Sequence, residues 1–198
     1  MYKRQMKAQK ILSYLMLGVA AFLFAMTIGM STDLYDILFK CIRNGKELVK
    51  GASLYTQIQD FNKLAVKLAI AVVLVSLLMF ISCSHIRRKY YIFNYIATGI
   101  VAVCFIALAT YIMVGVLDYK NRFLTEVDFE GLKELSESTL GHARQVKYSK
   151  STFWLDMNIF ACVLVIISAV LAVANAVWKF ILERNEKNLL NAGQTEVA

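Results

Sequence analysis

The 198-residue chain has no proline, two histidines and four cysteines. Proline is the residue that removes a helix donor and clashes with the preceding turn, so its absence favours long, unbroken helices. It also argues against the interrupted helices from which many secondary transporters build their binding sites. His85 and His142, with Cys41, Cys83, Cys104 and Cys162 scattered along the chain, give no H-E-x-x-H or C-x-x-C spacing, so no metal site is expected. A nucleophile elbow, a Walker loop and a Rossmann glycine pattern are missing too. No catalytic residue or cofactor is nominated, and the chain is read as non-enzymatic.

Charge is also scarce. Charged side chains make up 18% of the chain against 59% hydrophobic ones, with a mean hydropathy of +0.56, whereas soluble domains are about a quarter charged. What is present instead is four apolar runs, each long enough for a hydrocarbon core that needs about 20 helical residues. The run LAIAVVLVSLLMFI, 68 to 81, is apolar on all sides and lacks the in-out alternation of a membrane barrel strand. The expected fold class is therefore an all-α membrane protein: a bundle of four transmembrane helices at about 11–31, 66–86, 91–117 and 154–178. Two helical loops, 32–65 and 118–153, form a small extracytoplasmic cap. The first run is longer than a signal-peptide core and no A-x-A site follows it, so it is read as an uncleaved span.

Basic short segments stay in the cytoplasm. Lys3, Arg4, Lys7 and Lys10 precede the first span, Arg87, Arg88 and Lys89 lie between the second and third, and Lys179, Arg184 and Lys187 follow the fourth. Both termini are thus expected in the cytoplasm. The net charge of +8 then serves orientation and attraction to anionic lipid headgroups, with no soluble basic patch for nucleic acid. Only Cys41 lies in an outer loop in this arrangement. Four-span families such as the claudins, tetraspanins and connexins share the hydropathy profile but rely on paired outer cysteines, so the likeness ends at topology.

In the first loop Leu34, Ile37, Leu38, Cys41 and Ile42 recur at helical spacing. Asp33 is the expected start of that helix and Asn44-Gly45 its end. The stripe either packs on the protein and headgroup layer or serves as an outer docking surface. Ser53 is the expected cap of a helix carrying Leu54, Ile58, Phe61, Ala65 and Leu68 into the second span. In the second loop Glu126, Asp128 and Glu130 mark the start of a helix bearing Phe129, Leu132 and Leu135, and Gly141 opens a polar connector.

Asp156 is the one carboxylate that falls within the bounds of an expected span. At ~1.5 Å per residue it lies about 35 Å before Lys179, and Lys67 lies about 30 Å before Arg87, which places both at the outer interface. Asp156 is read as a boundary marker beside the aromatic belt of Phe153 and Trp154, with Lys67 as its candidate ion-pair partner, rather than as a proton or ion site. Small residues spaced by four, Ala21, Ala25 and Gly29 and again Ser168, Ala172 and Ala176, are candidate helix-packing positions. Asn94 and Asn175 are candidates for interhelical hydrogen bonds. The function expected from these features is an accessory or scaffold subunit of a membrane complex. The alternative is a homo-oligomeric channel. The expected surroundings are a lipid bilayer, other membrane subunits or copies of the chain; residue usage points to a bacterial cytoplasmic membrane.

Overall fold

Heptad spacing runs along all four long helices and fixes how they meet. In the computed structural model, which describes residues 2–30, 32–84 and 91–195, these are α1 (Tyr2–Gly29), α3 (Leu54–Ser84), α4 (Tyr91–Glu126) and α7 (Phe153–Thr195). Ser13, Met16, Ala20, Leu23 and Thr27 form the buried seam of α1, and Ile58, Asn62, Ala65, Ala69, Val72, Ser76 and Met79 that of α3. In α4 the seam is Asn94, Thr98, Val101, Phe105, Ala109, Ile112 and Val116; in α7 it is Leu155, Asn158, Cys162, Val165, Ala169 and Ala172. The helices close into a ring, α1 on α3, α3 on α4, α4 on α7 and α7 back on α1. Helix makes up 86% of the structure, and the four long helices are each apolar enough to cross a membrane. Their most apolar windows are only 28 to 39% buried inside the protein, so most of that apolar surface faces outward, as contact with lipid tails requires.

Small seam residues bring the backbones close. A side chain on Gly115 of α4 would run into the Phe61 ring of α3, and one on Gly29 would meet the Trp154 ring of α7. In lipid this close approach matters more than burial, because tails are as apolar as the side chains they would replace. The seam of α3 keeps Leu54, Ile58 and Ala65 of the expected stripe but takes Asn62 and Ala69 in place of Phe61 and Leu68, which lie at its flank. The bulkier pair fits the wider space beside the seam, where Phe61 packs on Tyr119 with ring centroids 5.2 Å apart.

The loops differ from expectation in three places. First, the single amphipathic helix is instead α2 (Thr32–Ile37), a 3-10 turn at Phe39–Cys41, and a hairpin of β1 (Ile42–Arg43) and β2 (Lys46–Glu47). Asn44 and Gly45, at φ 49° and 72°, form its two-residue turn; two positive φ values suit the right-handed strand twist, and this overrides their capacity to end a helix. Second, the Glu47 carboxylate takes the amides of Gly51 and Ser53 ahead of α3, the position expected for a Ser53 cap. Third, Gly141 lies inside the short helix α6 (Thr139–Arg144), not at the start of a connector. It is pressed against the Leu135 carbonyl, where any side chain would collide.

The second loop otherwise follows expectation. Asp128 caps α5 (Phe129–Glu137) by accepting the Gly131 amide at 3.0 Å, and Leu132 is fully buried. Glu126 belongs instead to the last turn of α4, bound to Arg122 at 2.7 Å. The side chain of Asp33, His85, and the basic turn Arg87, Arg88 and Lys89 lie outside the described residues.

Candidate functional site

Each end of the bundle gathers polar side chains. At the loop end, the two loops are tied together by side chains that bond backbone across about 100 residues. Arg144 donates to the carbonyls of Lys40 and Ile42, each at 2.8 Å, and Lys40 returns a bond to the Gln145 carbonyl at 3.2 Å. Backbone bonds from Lys147 to Asp36 and from Asp128 to Lys50, both 3.1 Å, complete the seam. Asp36 takes Lys40 at 2.6 Å and Lys147 at 2.8 Å, one on each oxygen. The bonds from Lys147 and then Lys40 hold its carboxyl below the usual carboxylate range.

That shift carries a sign. A carboxyl with a lowered folded value stabilises the fold fully above its ordinary pKa, and the contribution disappears as pH falls through the folded value. The stability difference between the native chain and Asp36→Asn, read from paired thermal melts in detergent, is therefore expected to shrink towards zero in acid below the ordinary carboxylate range. A difference that grows on acidification would refute the assignment.

The stripe of Leu34, Ile37, Leu38 and Cys41 is at most 4% exposed, and Ile42 is packed against the same core. It is therefore not available as an outer docking surface. Closing the hairpin beneath Arg144 turns these side chains inward. The Cys41 thiol donates to the Ile37 carbonyl at 3.0 Å, and burial pushes it up to about 11. Several apolar groups stand out at this end, among them Leu48, Leu140 and Tyr148; Tyr35 and Phe39 differ in being stacked on each other at 4.8 Å, 44% and 43% exposed. Phe39 is braced from behind by Tyr55 at 5.4 Å.

Asp156 pairs with Lys120 of α4 at 2.5 Å and with the Thr152 hydroxyl at 2.7 Å. Lys67, its expected partner, stands exposed on α3. The carboxylate is half exposed, at 48%, which fits a group at a boundary better than one enclosed in a pathway. Among the small residues, Ser168 and Ala172 are inside the bundle and Gly29 meets Trp154, whereas Ala21 and Ala25 are exposed. Ala176 borders a shallow groove between α4 and α7.

At the opposite end the bundle interior becomes polar. Lys179, only 4% exposed, donates to the Asn94 side-chain carbonyl at 2.9 Å, and the Asn94 amide donates to the Ser82 hydroxyl at 3.2 Å. The Lys179 ammonium lies 4.9 Å from the centre of the Tyr95 ring, whose hydroxyl donates to Glu183 at 3.2 Å. Gln5 donates to Gln9 at 3.3 Å and to Asn175 at 3.5 Å. Asn94 and Asn175 thus make the interhelical bonds their positions suggested. Lys179 and the Gln5–Gln9 pair are the residues that reading of the sequence missed. The signal was there: Lys179 follows Ala172 by one heptad, and Gln5, Gln9 and Ser13 precede Met16 on the same face of α1.

Chemically, the Lys179 ammonium and its hydrogen-bond partners are fixed by α3, α4 and α7, and Gln5, Gln9 and Asn175 form a second set between α1 and α7. Among the described residues no three His, Cys, Asp or Glu side chains group closely enough to hold a metal ion. Between the two polar ends Leu23, Val72, Phe105, Ile112 and Val165 are each fully buried, with Thr27, Ser76 and Ser168 buried among them. No protein-family model, curated protein or solved structure matches the chain.

Proposed function

We propose that the chain is a non-enzymatic four-span protein of the bacterial cytoplasmic membrane, with both termini in the cytoplasm, and that it serves as an accessory or scaffold subunit of a membrane assembly. The carrying observation is the exposed Tyr35–Phe39 pair on a cap that Arg144 and Asp36 make rigid. Aromatic anchors of this kind, held in place before contact, supply most of the energy of protein interfaces. Large apolar side chains buried along the bundle axis, Phe105 and Ile112 among them, support a contact role over conduction through one chain.

A photo-crosslinking amino acid at position 39, with one at exposed Ile181 as control, tests this in the native membrane. Crosslinks from position 39 to one other membrane protein, at stoichiometric yield, are the expected result. Crosslinks only between copies of the chain would move the function to the homo-oligomeric channel, to be followed by planar-bilayer recording. Crosslinks to lipid alone would make the rings an interfacial aromatic belt and overturn the reading. Orientation has its own test: Glu137→Cys should react with a membrane-impermeant maleimide in intact cells and Lys187→Cys should not.

A further inference from the structure

Between α1 and α3, at the end remote from the cap, lies a groove of about 490 Å³ lined by Lys7, Lys10, Ser13, Tyr14, Phe80 and Cys83 among others. Its walls change character along the helix axis. Lys7 and Lys10 stand at the mouth, three residues apart and so neighbours on one helix face. Deeper in, Tyr14 and Phe80 meet edge to face, with centroids 5.4 Å apart, and Tyr14 is 52% exposed towards the outside of the bundle. Tyr14 lies four residues past Lys10 and seven past Lys7, a rise of ~6 and ~10 Å. The headgroup layer of a bilayer leaflet is ~5 to 8 Å deep, so the groove passes from cationic to aromatic over the distance in which a phospholipid passes from phosphate to hydrocarbon.

We propose that this groove binds one anionic phospholipid, its phosphodiester held between Lys7 and Lys10 and its acyl chains laid over Tyr14 and Phe80. Among the described residues no acidic side chain lines the groove, and the first ten residues hold four basic side chains and no acidic one, so the mouth repels cationic groups and favours a net negative headgroup. The floor contributes little charge. The Ser13 hydroxyl is bonded to the Lys10 carbonyl at 2.8 Å, and the Cys83 thiol is directed at the Gln9 carbonyl at 3.8 Å. Recognition therefore falls to the two ammonium groups, and the aromatic pair sets the depth of the chains. Two lysines near a membrane surface correspond to about 30-fold in affinity for an anionic over a zwitterionic lipid. The inference rests on placement in a bilayer with this end in one leaflet and is independent of the partner reading above.

The test is native mass spectrometry of the full chain, stripped of lipid in mild detergent and titrated separately with dioleoyl phosphatidylglycerol, dioleoyl phosphatidylcholine and inorganic phosphate. One phosphatidylglycerol per chain, bound about 30-fold more tightly than phosphatidylcholine, is the expected result for the unaltered protein. Lys7→Gln with Lys10→Gln should abolish that preference. Lys7→Arg with Lys10→Arg should keep it, and so should Lys46→Gln with Lys50→Gln at the far end. Equal binding of the two lipids, or a preference that survives the double glutamine change, would overturn the proposal. So would displacement of the lipid by equimolar inorganic phosphate, which would reveal a site for a free anion. If the glutamine variant fails to fold, the comparison of the two lipids on the unaltered chain still decides.

Discussion

Gly51→Ala is expected to lower stability by about 2 to 5 kcal/mol, whereas Gly45→Ala costs about 1 to 2 kcal/mol. Both glycines have positive φ, +85° and +72°, so both changes carry the penalty of placing a Cβ in a left-handed conformation. Only Gly51 carries a second one. A Cβ there would lie 2.6 Å from the Glu126 carbonyl oxygen and 3.0 Å from the Val127 Cα, both of them backbone, whereas nothing lies within 4 Å of a Cβ on Gly45. To make room, the end of α4 must move away from the first loop, which also strains the bond from the Asp128 amide to the Lys50 carbonyl. The two variants are to be compared by reversible unfolding in mixed micelles; an equal loss in both would mean that the close approach at Gly51 is not part of the folded state.

The second large effect belongs to Arg144. Arg144→Met keeps much of the aliphatic stem but removes both bonds to the Lys40 and Ile42 carbonyls. Hydrogen bonds from a charged donor contribute about 1.5 to 3 kcal/mol each. With partial solvent access to this site, a total loss of about 2 to 4 kcal/mol is expected. It should be local before it is global. Amide exchange of residues 40–48 is expected to accelerate strongly, while exchange in the α3–α4 core stays slow. Arg43→Met, at an exposed strand position, serves as the control and should change stability by no more than about 0.5 kcal/mol. Uniform acceleration through the whole chain would show that the cap does not open as a separate unit.

The ease with which each part of this structure could be read from sequence follows the range of the interactions that form it. The four long helices arise from local periodicity and from the scarcity of charge, so runs such as 68 to 81 announced them directly. Asn94 and Asn175 could be picked out because an amide in an apolar helix needs a partner, and only another helix offers one. Arg144 could not be found that way: its partners are backbone carbonyls more than 100 positions away, and any residue type supplies a carbonyl. Asn44-Gly45 was ambiguous locally, since the same dipeptide ends helices and closes hairpins, and the packing of Leu38 and Cys41 beneath the hairpin decides between them. Lys179 was hidden for a different reason. A lysine just past an apolar run ordinarily marks the water boundary, and the heptad that carries it inward is visible only when α7 is followed beyond its apolar stretch.

That continuation of α7 has a mechanical consequence. Its 43 residues form one rod of about 63 Å, held near its start by Asp156 and Lys120 and in its second half by Lys179 and Asn94. With two anchors the rod is fixed in the bundle, and only the part after Lys179, a rise of about 24 Å, lies beyond the second one. A bend of about 10° there moves the end of the helix by about 4 Å while leaving the packed part in place, so the helix carries an arm past the opposite face of the bundle.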